Sequence, residues 1–153
     1  MGEKINVLYL DDEENNLFSF KATFRLKYNV FTAIKGEDAI DIIKNNDIHI
    51  IITDQRMPEM TGVEFLEKII KINPDPIRIL LTGYTDMSAV VDAINKGKIF
   101  HYLNKPWNAE DISNTISRAY EAYIHKKKIL EQKSNLEISN EQLEFLLRQK
   151  LLS

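Results

Sequence analysis

Residues 48–54 read Ile-His-Ile-Ile-Ile-Thr-Asp. Four isoleucines in this run leave almost no polar alternation, so it predicts a strand buried on both faces, the kind found in parallel sheets covered by helices. Such strands need helical crossovers, and the flanks supply them. Downstream, Val63, Leu66 and Ile70 fall at i, i+3 and i+7, which predicts a helix that Pro74 and Pro76 break. Residues 77–81 form the next buried run. Asp86 is placed to cap a helix carrying Val90 and Ile94, and Gly97 to end it. Residues 99–103 read as another strand, and Asn108 starts a helix on Ile112, Ile116, Ala119 and Tyr123. Upstream, residues 36–44 read as a helix on Ala39, Ile40 and Ile43, preceded by a strand over residues 29–32. Before that come Leu17, Phe20 and Phe24 at helical spacing and a first strand over residues 5–10. Five strands alternating with five helices imply a doubly wound parallel sheet, with right-handed crossovers.

The chain has 153 residues, 44% hydrophobic and 28% charged, ordinary for a globular domain with an extension. A net charge of −3 argues against a nucleic-acid surface, which needs clustered basic charge. Without cysteine there is neither a disulfide framework nor thiolate chemistry, which fits a cytoplasmic protein. The first six residues lack the apolar segment of a signal peptide, and no apolar run is long enough to cross a bilayer.

In open α/β sheets, sites form beyond the carboxyl ends of the strands. Leu10 is followed by Asp11, Asp12 and Glu13. Thr53 is followed by Asp54, Leu81 by Thr82 and Gly83, and Leu103 by Asn104, Lys105 and Pro106. Taken alone, Asp12 or Asp54 is equally well a helix cap. Capping does not explain the joint pattern of carboxylates, a hydroxyl and an ammonium at one sheet edge. Clustered carboxylates repel one another unless a cation sits among them. Oxygen ligands without His or Cys point to a hard ion, Mg²⁺ (or Mn²⁺). A structural metal would leave the Lys and the Thr unexplained, whereas a cation, an ammonium and a hydroxyl around one carboxylate suit a phosphoryl group. A carboxylate can itself be the nucleophile that forms an acyl phosphate.

These residues resemble the response-regulator receiver family of two-component signalling. The segments that carry the resemblance are Leu10-Asp11-Asp12-Glu13, Thr53-Asp54-Gln55-Arg56-Met57-Pro58 with Gly62, Leu81-Thr82-Gly83, and Tyr102 with Lys105-Pro106, and it covers residues 4–123. It implies a flavodoxin-like fold with strand order 2-1-3-4-5. It implies that Asp54 is the phosphoacceptor, that Asp12 ligates Mg²⁺ directly and Asp11 through water, and that the backbone carbonyl of Arg56 completes the metal site. Thr82 would bond one phosphoryl oxygen and Lys105 another, and Tyr102 would turn inward as Thr82 is drawn to the phosphate. The Lys105-Pro106 bond is usually cis in this family, and X-Pro is the setting where cis is inexpensive. Arg56 and Tyr84, two residues past Asp54 and Thr82, would affect the access of hydrolytic water. The wording Thr-Asp-Gln-Arg-Met-Pro, Leu-Leu-Thr-Gly-Tyr-Thr-Asp and Tyr-Leu-Asn-Lys-Pro-Trp is similar to a subset that often precedes cyclic-di-nucleotide phosphodiesterase, kinase or activator modules.

The expected function is therefore a phosphorylation-dependent switch in a phosphorelay. It would take its phosphoryl group from a sensor histidine kinase or phosphotransfer protein and relay its state through the face of the fourth helix, fifth strand and fifth helix. It would catalyse only its own phosphorylation and dephosphorylation, which makes it a switch rather than an enzyme. Two other classes compete. An Asp-nucleophile phosphatase or phosphotransferase commonly needs a second carboxylate two residues after the nucleophile, where this chain has Arg56. A phosphorylation-independent interaction module would not need the intact set of Asp11, Asp12, Asp54, Thr82 and Lys105.

Other features read as structure. His49, His101 and His125 have no recurring co-ligand, Trp107 reads as a packing residue, and Lys126-Lys127-Lys128 as a solvated helix face. Residues 108–153 contain neither Pro nor Gly, which predicts a helix longer than the domain needs. Ile129, Leu136 and Leu143 repeat every seven residues, the seam of a coiled coil. Its d positions are weak, with Gln132 and Ser139 polar and Leu146 apolar. Residues 124–153 are thus expected to be a helical linker or coiled-coil extension that pairs two copies and leads toward an output domain.

Overall fold

The computed structural model describes residues 4–83 and 87–152. Its elements run β1 (Asn6–Leu10), α1 (Glu14–Phe24), β2 (Asn29–Ala33), α2 (Gly36–Asn45), β3 (Ile50–Asp54), α3 (Gly62–Ile72), β4 (Ile77–Thr82), α4 (Met87–Asn95), β5 (His101–Asn104) and α5 (Ala109–Leu152). The five strands form one parallel sheet in the order β2-β1-β3-β4-β5, as the resemblance implies.

Because side chains alternate along a strand, the sheet feeds two cores. On one face Tyr9, Ile50, Ile52 and Ile79 meet Phe20 and Phe24 of α1 and Ile112, Ile116 and Ala119 of α5. On the other, Leu8, Leu10, Ile51 and Leu80 meet Ala39 and Ile43 of α2, Phe65, Leu66 and Ile69 of α3, and Val90 and Ala93 of α4. Burying each large side chain is worth roughly 1.5–3 kcal/mol, so β3, buried at every position, anchors the domain.

Four local expectations are corrected. The third strand starts at Ile50, not at 48; His49, just before it, already bonds both neighbouring strands through its backbone, its N–H donating to Asn6 O at 3.0 Å and its carbonyl accepting from Ile77 N–H at 2.9 Å. The fifth strand starts at His101, and Ile99 is a buried residue before it. In α3 the fully buried side chains are Phe65, Leu66 and Ile69, so of the expected Val63, Leu66 and Ile70 only Leu66 is fully buried and the other two are half-buried at the margins. Two of the three lysines at 126–128 are engaged: Lys126 Nζ donates to Pro74 O at 2.6 Å and Lys127 Nζ pairs with Asp75 at 2.9 Å. The proposed cap Asp86 and the bulky Tyr84 lie outside the described residues.

The other readings agree with the packing. His49 is buried, accepts from Asn6 N–H at 2.9 Å and packs its ring against Tyr120 and Tyr123. Trp107 sits 6.0 and 5.8 Å from the rings of Phe20 and Phe24. Helix α5 starts where Asn108 Oδ1 accepts from the N–H groups of Glu110 and Asp111, and its 44 residues span roughly 66 Å at 1.5 Å per residue.

Candidate functional site

Parallel strands end at one edge, and the register sets which residues meet there. Leu10 is level with Thr53, so the residues after them, Asp11 and Asp54, are level too. Thr82 is level with Asn104, and Lys105 N–H donates to Thr82 O at 3.0 Å. Lys105 therefore emerges beside Asp54 and forms an ion pair with its Oδ1. The Lys105-Pro106 bond is cis.

Asp11, Asp12 and Asp54 each offer a carboxylate oxygen within 4.8 Å of the others. Asp54 is only 4% exposed and Asp11 fully buried, while Asp12 is half-buried. Burial raises the Asp54 carboxyl above its ordinary range. The Lys105 ammonium opposes this, and the charges of Asp11 and Asp12 add to it. The edge thus holds concentrated negative charge with one ammonium against it. The donor set has carboxylates and neither imidazole nor thiolate, so it fits a hard divalent cation.

Asp11 is held by three donors. Tyr9 O–H reaches Oδ2 at 2.6 Å, Asn16 Nδ2 reaches the same oxygen at 3.1 Å, and Glu13 N–H reaches Oδ1 at 3.0 Å. Burial, reinforced by this bond to Asp11, pushes the Tyr9 phenol far above its ordinary range, so it remains a protonated donor. The sequence reading missed Tyr9 and Asn16. The signal was available for Tyr9, because residues two apart on a strand share a face.

Thr82 is buried and donates its hydroxyl to Gly83 O at 2.9 Å, and Tyr102 is half-buried against the core of α2, α3 and α4. Arg56 is exposed in the loop after β3 and lines an open cleft with Asp12, Met57, Glu64 and Asp92. The same loop is closed from within. Gln55 is buried, and its Oε1 accepts from Val63 N–H at 3.0 Å. Thr61 caps α3 by accepting from Glu64 N–H at 3.1 Å, with Glu64 three residues on as in a capping box. Gly62 begins α3 against β3, and a Cβ there would meet Asp54 O at 2.5 Å and Leu80 Cδ1 at 2.7 Å. Its place in the motif has a steric cause.

The family model of the response regulator receiver domain matches residues 7–117. The hydrogenase transcriptional regulatory protein HoxA of Cupriavidus necator is 32% identical over 120 residues, 78% of this chain and 25% of that protein. The chain therefore spans about a quarter of the curated relatives it matches. Among solved structures, the adenylate cyclase from Rhodopirellula baltica superposes with a TM-score of 0.79 at 31% identity, covering 84% of this chain and 98% of that one. The beryllofluoride-activated NtrC4 receiver domain dimer gives 0.70 at 34% identity, covering 77% and 98%.

Proposed function

This chain belongs to the response regulator receiver family, the signalling domains of two-component systems, and from that premise we propose that residues 4–123 are a receiver whose phosphoacceptor is Asp54. The observation that carries the assignment is the pairing of a nearly buried carboxylate with Lys105 and two further carboxylates at the end of the central strand. Asp12 would ligate Mg²⁺ directly and Asp11 through water, and Asp54 and the Arg56 carbonyl would complete the set. The bound cation supplies positive charge against the transferring phosphoryl oxygens.

The residues then have defined tasks. An Asp54 carboxylate oxygen attacks phosphorus, and the bond to the donor's leaving group breaks: the nitrogen of a phosphohistidine on a sensor kinase or phosphotransfer protein, or the oxygen of a small acyl phosphate. Lys105 Nζ exchanges its bond to Asp54 for one to a phosphoryl oxygen. The Thr82 hydroxyl leaves Gly83 O for another, and Tyr102 moves into the space vacated. The two states then differ in contacts along α4, β5 and α5, which is what lets a phosphate bias them. Water later cleaves the acyl phosphate, so the chain acts only on itself. Among the described residues no helix is long and apolar enough to cross a membrane, and a cytoplasmic location suits a kinase-fed switch.

The α5 extension from residue 124 to Leu152 is the second unit, a signalling helix that pairs two copies. Ile129, Leu136, Leu143 and Leu146 are 49%, 63%, 58% and 62% exposed in the single chain. A lone helix is marginal in water, and burying each of these against a partner is worth on the order of 1.5–3 kcal/mol. Light scattering should give a concentration-dependent dimer for the full chain and a monomer for one ending at Lys128. Equal masses would remove the pairing role.

For the acceptor, incubation with acetyl phosphate and Mg²⁺ should add one phosphoryl mass, and Asp54→Asn should abolish the gain. The same gain in Asp54→Asn would overturn the assignment.

A further inference from the structure

Asp11 and Asp12 are adjacent, both face the cation site, and are bonded in opposite ways. A carboxylate offers about four lone-pair positions, and Tyr9, Asn16 and Glu13 occupy three of those on Asp11. Both donors on Oδ2 come from side chains, and the Tyr9 bond, at 2.6 Å, is the shortest of the three. Among the described residues no hydrogen-bond donor engages the Asp12 carboxylate, which is half-buried and lines the open cleft. One carboxylate is spent on protein donors and the other is free for a ligand.

We propose that Tyr9 and Asn16 are positioning residues that hold Asp11 back from direct coordination and so tune the site toward a cation that keeps its water. With Oδ2 filled and Oδ1 bonded by the Glu13 N–H, Asp11 cannot offer both oxygens to a cation: one position remains, on Oδ1, enough to accept a hydrogen from a cation-bound water, whereas ligation through both oxygens would break the side-chain bonds. Direct ligation by Oδ2 would break the bond from Tyr9. Mg²⁺ keeps several waters and takes few protein oxygens, whereas Ca²⁺ takes six to eight oxygens and accepts a carboxylate through both of its oxygens. The pinned Asp11 thus discriminates by withholding a ligand that Ca²⁺ would use and Mg²⁺ does not need. The inference rests on reading the three carboxylates as a divalent-cation site.

The test is calorimetric titration of the full chain with Mg²⁺ and, separately, Ca²⁺, which reads binding without any phosphorylation. Tyr9→Phe keeps the ring and removes the donor. It should raise Ca²⁺ affinity relative to Mg²⁺ and narrow the preference by about tenfold, the factor one hydrogen bond to a charged group commonly carries. Asn16→Ala should narrow it in the same direction by less, since its bond is longer. Tyr28→Phe is the control: it deletes a buried hydroxyl from the same core, one with no hydrogen-bond partner among the described residues, and should leave both affinities unchanged. A folded Tyr9→Phe chain with the wild-type preference, or with both cations weakened equally, overturns the inference while leaving the cation site intact. If Tyr9→Phe does not fold, Asn16→Ala decides by the same criterion. Wild-type protein that binds neither cation would instead overturn the reading of the site itself.

Discussion

The two edges of the sheet handle polar groups in opposite ways. At the amino edge, charge is matched to partners. The partly buried Arg78 guanidinium donates to four carbonyls, those of Pro74, Pro76, Gly97 and Lys98, and ties the α3–β4 connection to the α4–β5 connection. Lys126 and Lys127 fasten α5 to the same connection through Pro74 and Asp75, and His49 is enclosed by Tyr120 and Tyr123. At the carboxyl edge three carboxylates face one lysine. The difference teaches where the fold stores its capacity to respond. The amino edge matches its charges to partners, while the carboxyl edge is left short of positive charge.

The contrast makes predictions of opposite sign. The largest effect is steric and lies at the carboxyl edge. Gly62→Ala should destabilise by about 3 kcal/mol or more, because its Cβ cannot coexist with Asp54 O and Leu80 without moving the β3–α3 loop. Chemical denaturation measures this, and phosphorylation should fall with it. Arg78→Ala at the amino edge should lose roughly 2–3 kcal/mol, since it strands carbonyls bonded to a charged group. A wild-type midpoint for Arg78→Ala would break the idea that this edge is held by matched polar groups.

Removing charge at the other edge should stabilise. Asp54→Asn, measured without divalent cation, should gain on the order of 1 kcal/mol, because burial and two like charges outweigh Lys105. Its pH dependence follows from the sign of the shift. The Asp54 carboxyl is raised in the folded state, so the folded protein holds that proton more tightly than the unfolded chain does. Wild-type stability from this group is fully present below the ordinary carboxylate range and is lost as pH rises through the raised value. The gap between Asp54→Asn and wild type should therefore be small in acid and open as pH rises above that range. Saturating Mg²⁺ should close it. A gap that widens in acid would contradict the charge imbalance. The smallest effect belongs to Lys127→Ala, at most about 0.5 kcal/mol, because its pair with Asp75 is partly exposed. Amide exchange at the start of the α5 extension would sharpen that result by showing whether the latch holds the helix base.

Much of this was legible along the chain. The isoleucine run of β3, the β-branched runs beside it and the helical periods between them recorded the α/β alternation, and with it the strand ends where Asp11, Asp12, Asp54, Thr82 and Lys105 stand. The family resemblance supplied the strand order. In α3 the pattern does not separate the fully buried Phe65 and Ile69 from the half-buried Val63 and Ile70, because all four are apolar. Periodicity identifies a helix, but where several apolar residues compete, the neighbours decide which stripe is buried. The lysines at 126–128 were read as solvated because their partners, Pro74 and Asp75, lie some fifty residues away.

By itself the sequence determined the elements, the polar residues at their ends and the helical character of residues 109–152, because each depends on local period, propensity and punctuation. The tertiary structure alone decided that Tyr9 and Asn16 fill Oδ2 of Asp11 while Asp12 stays open, that Gly62 has no room for a Cβ against Asp54, and that Arg78 and Lys126 converge on Pro74. The physical reason is that hydrogen bonds and steric exclusion act over about 3 Å. A pattern along the chain can bring residues to the same edge, but only close packing of the sheet and its helices fixes distances on that scale.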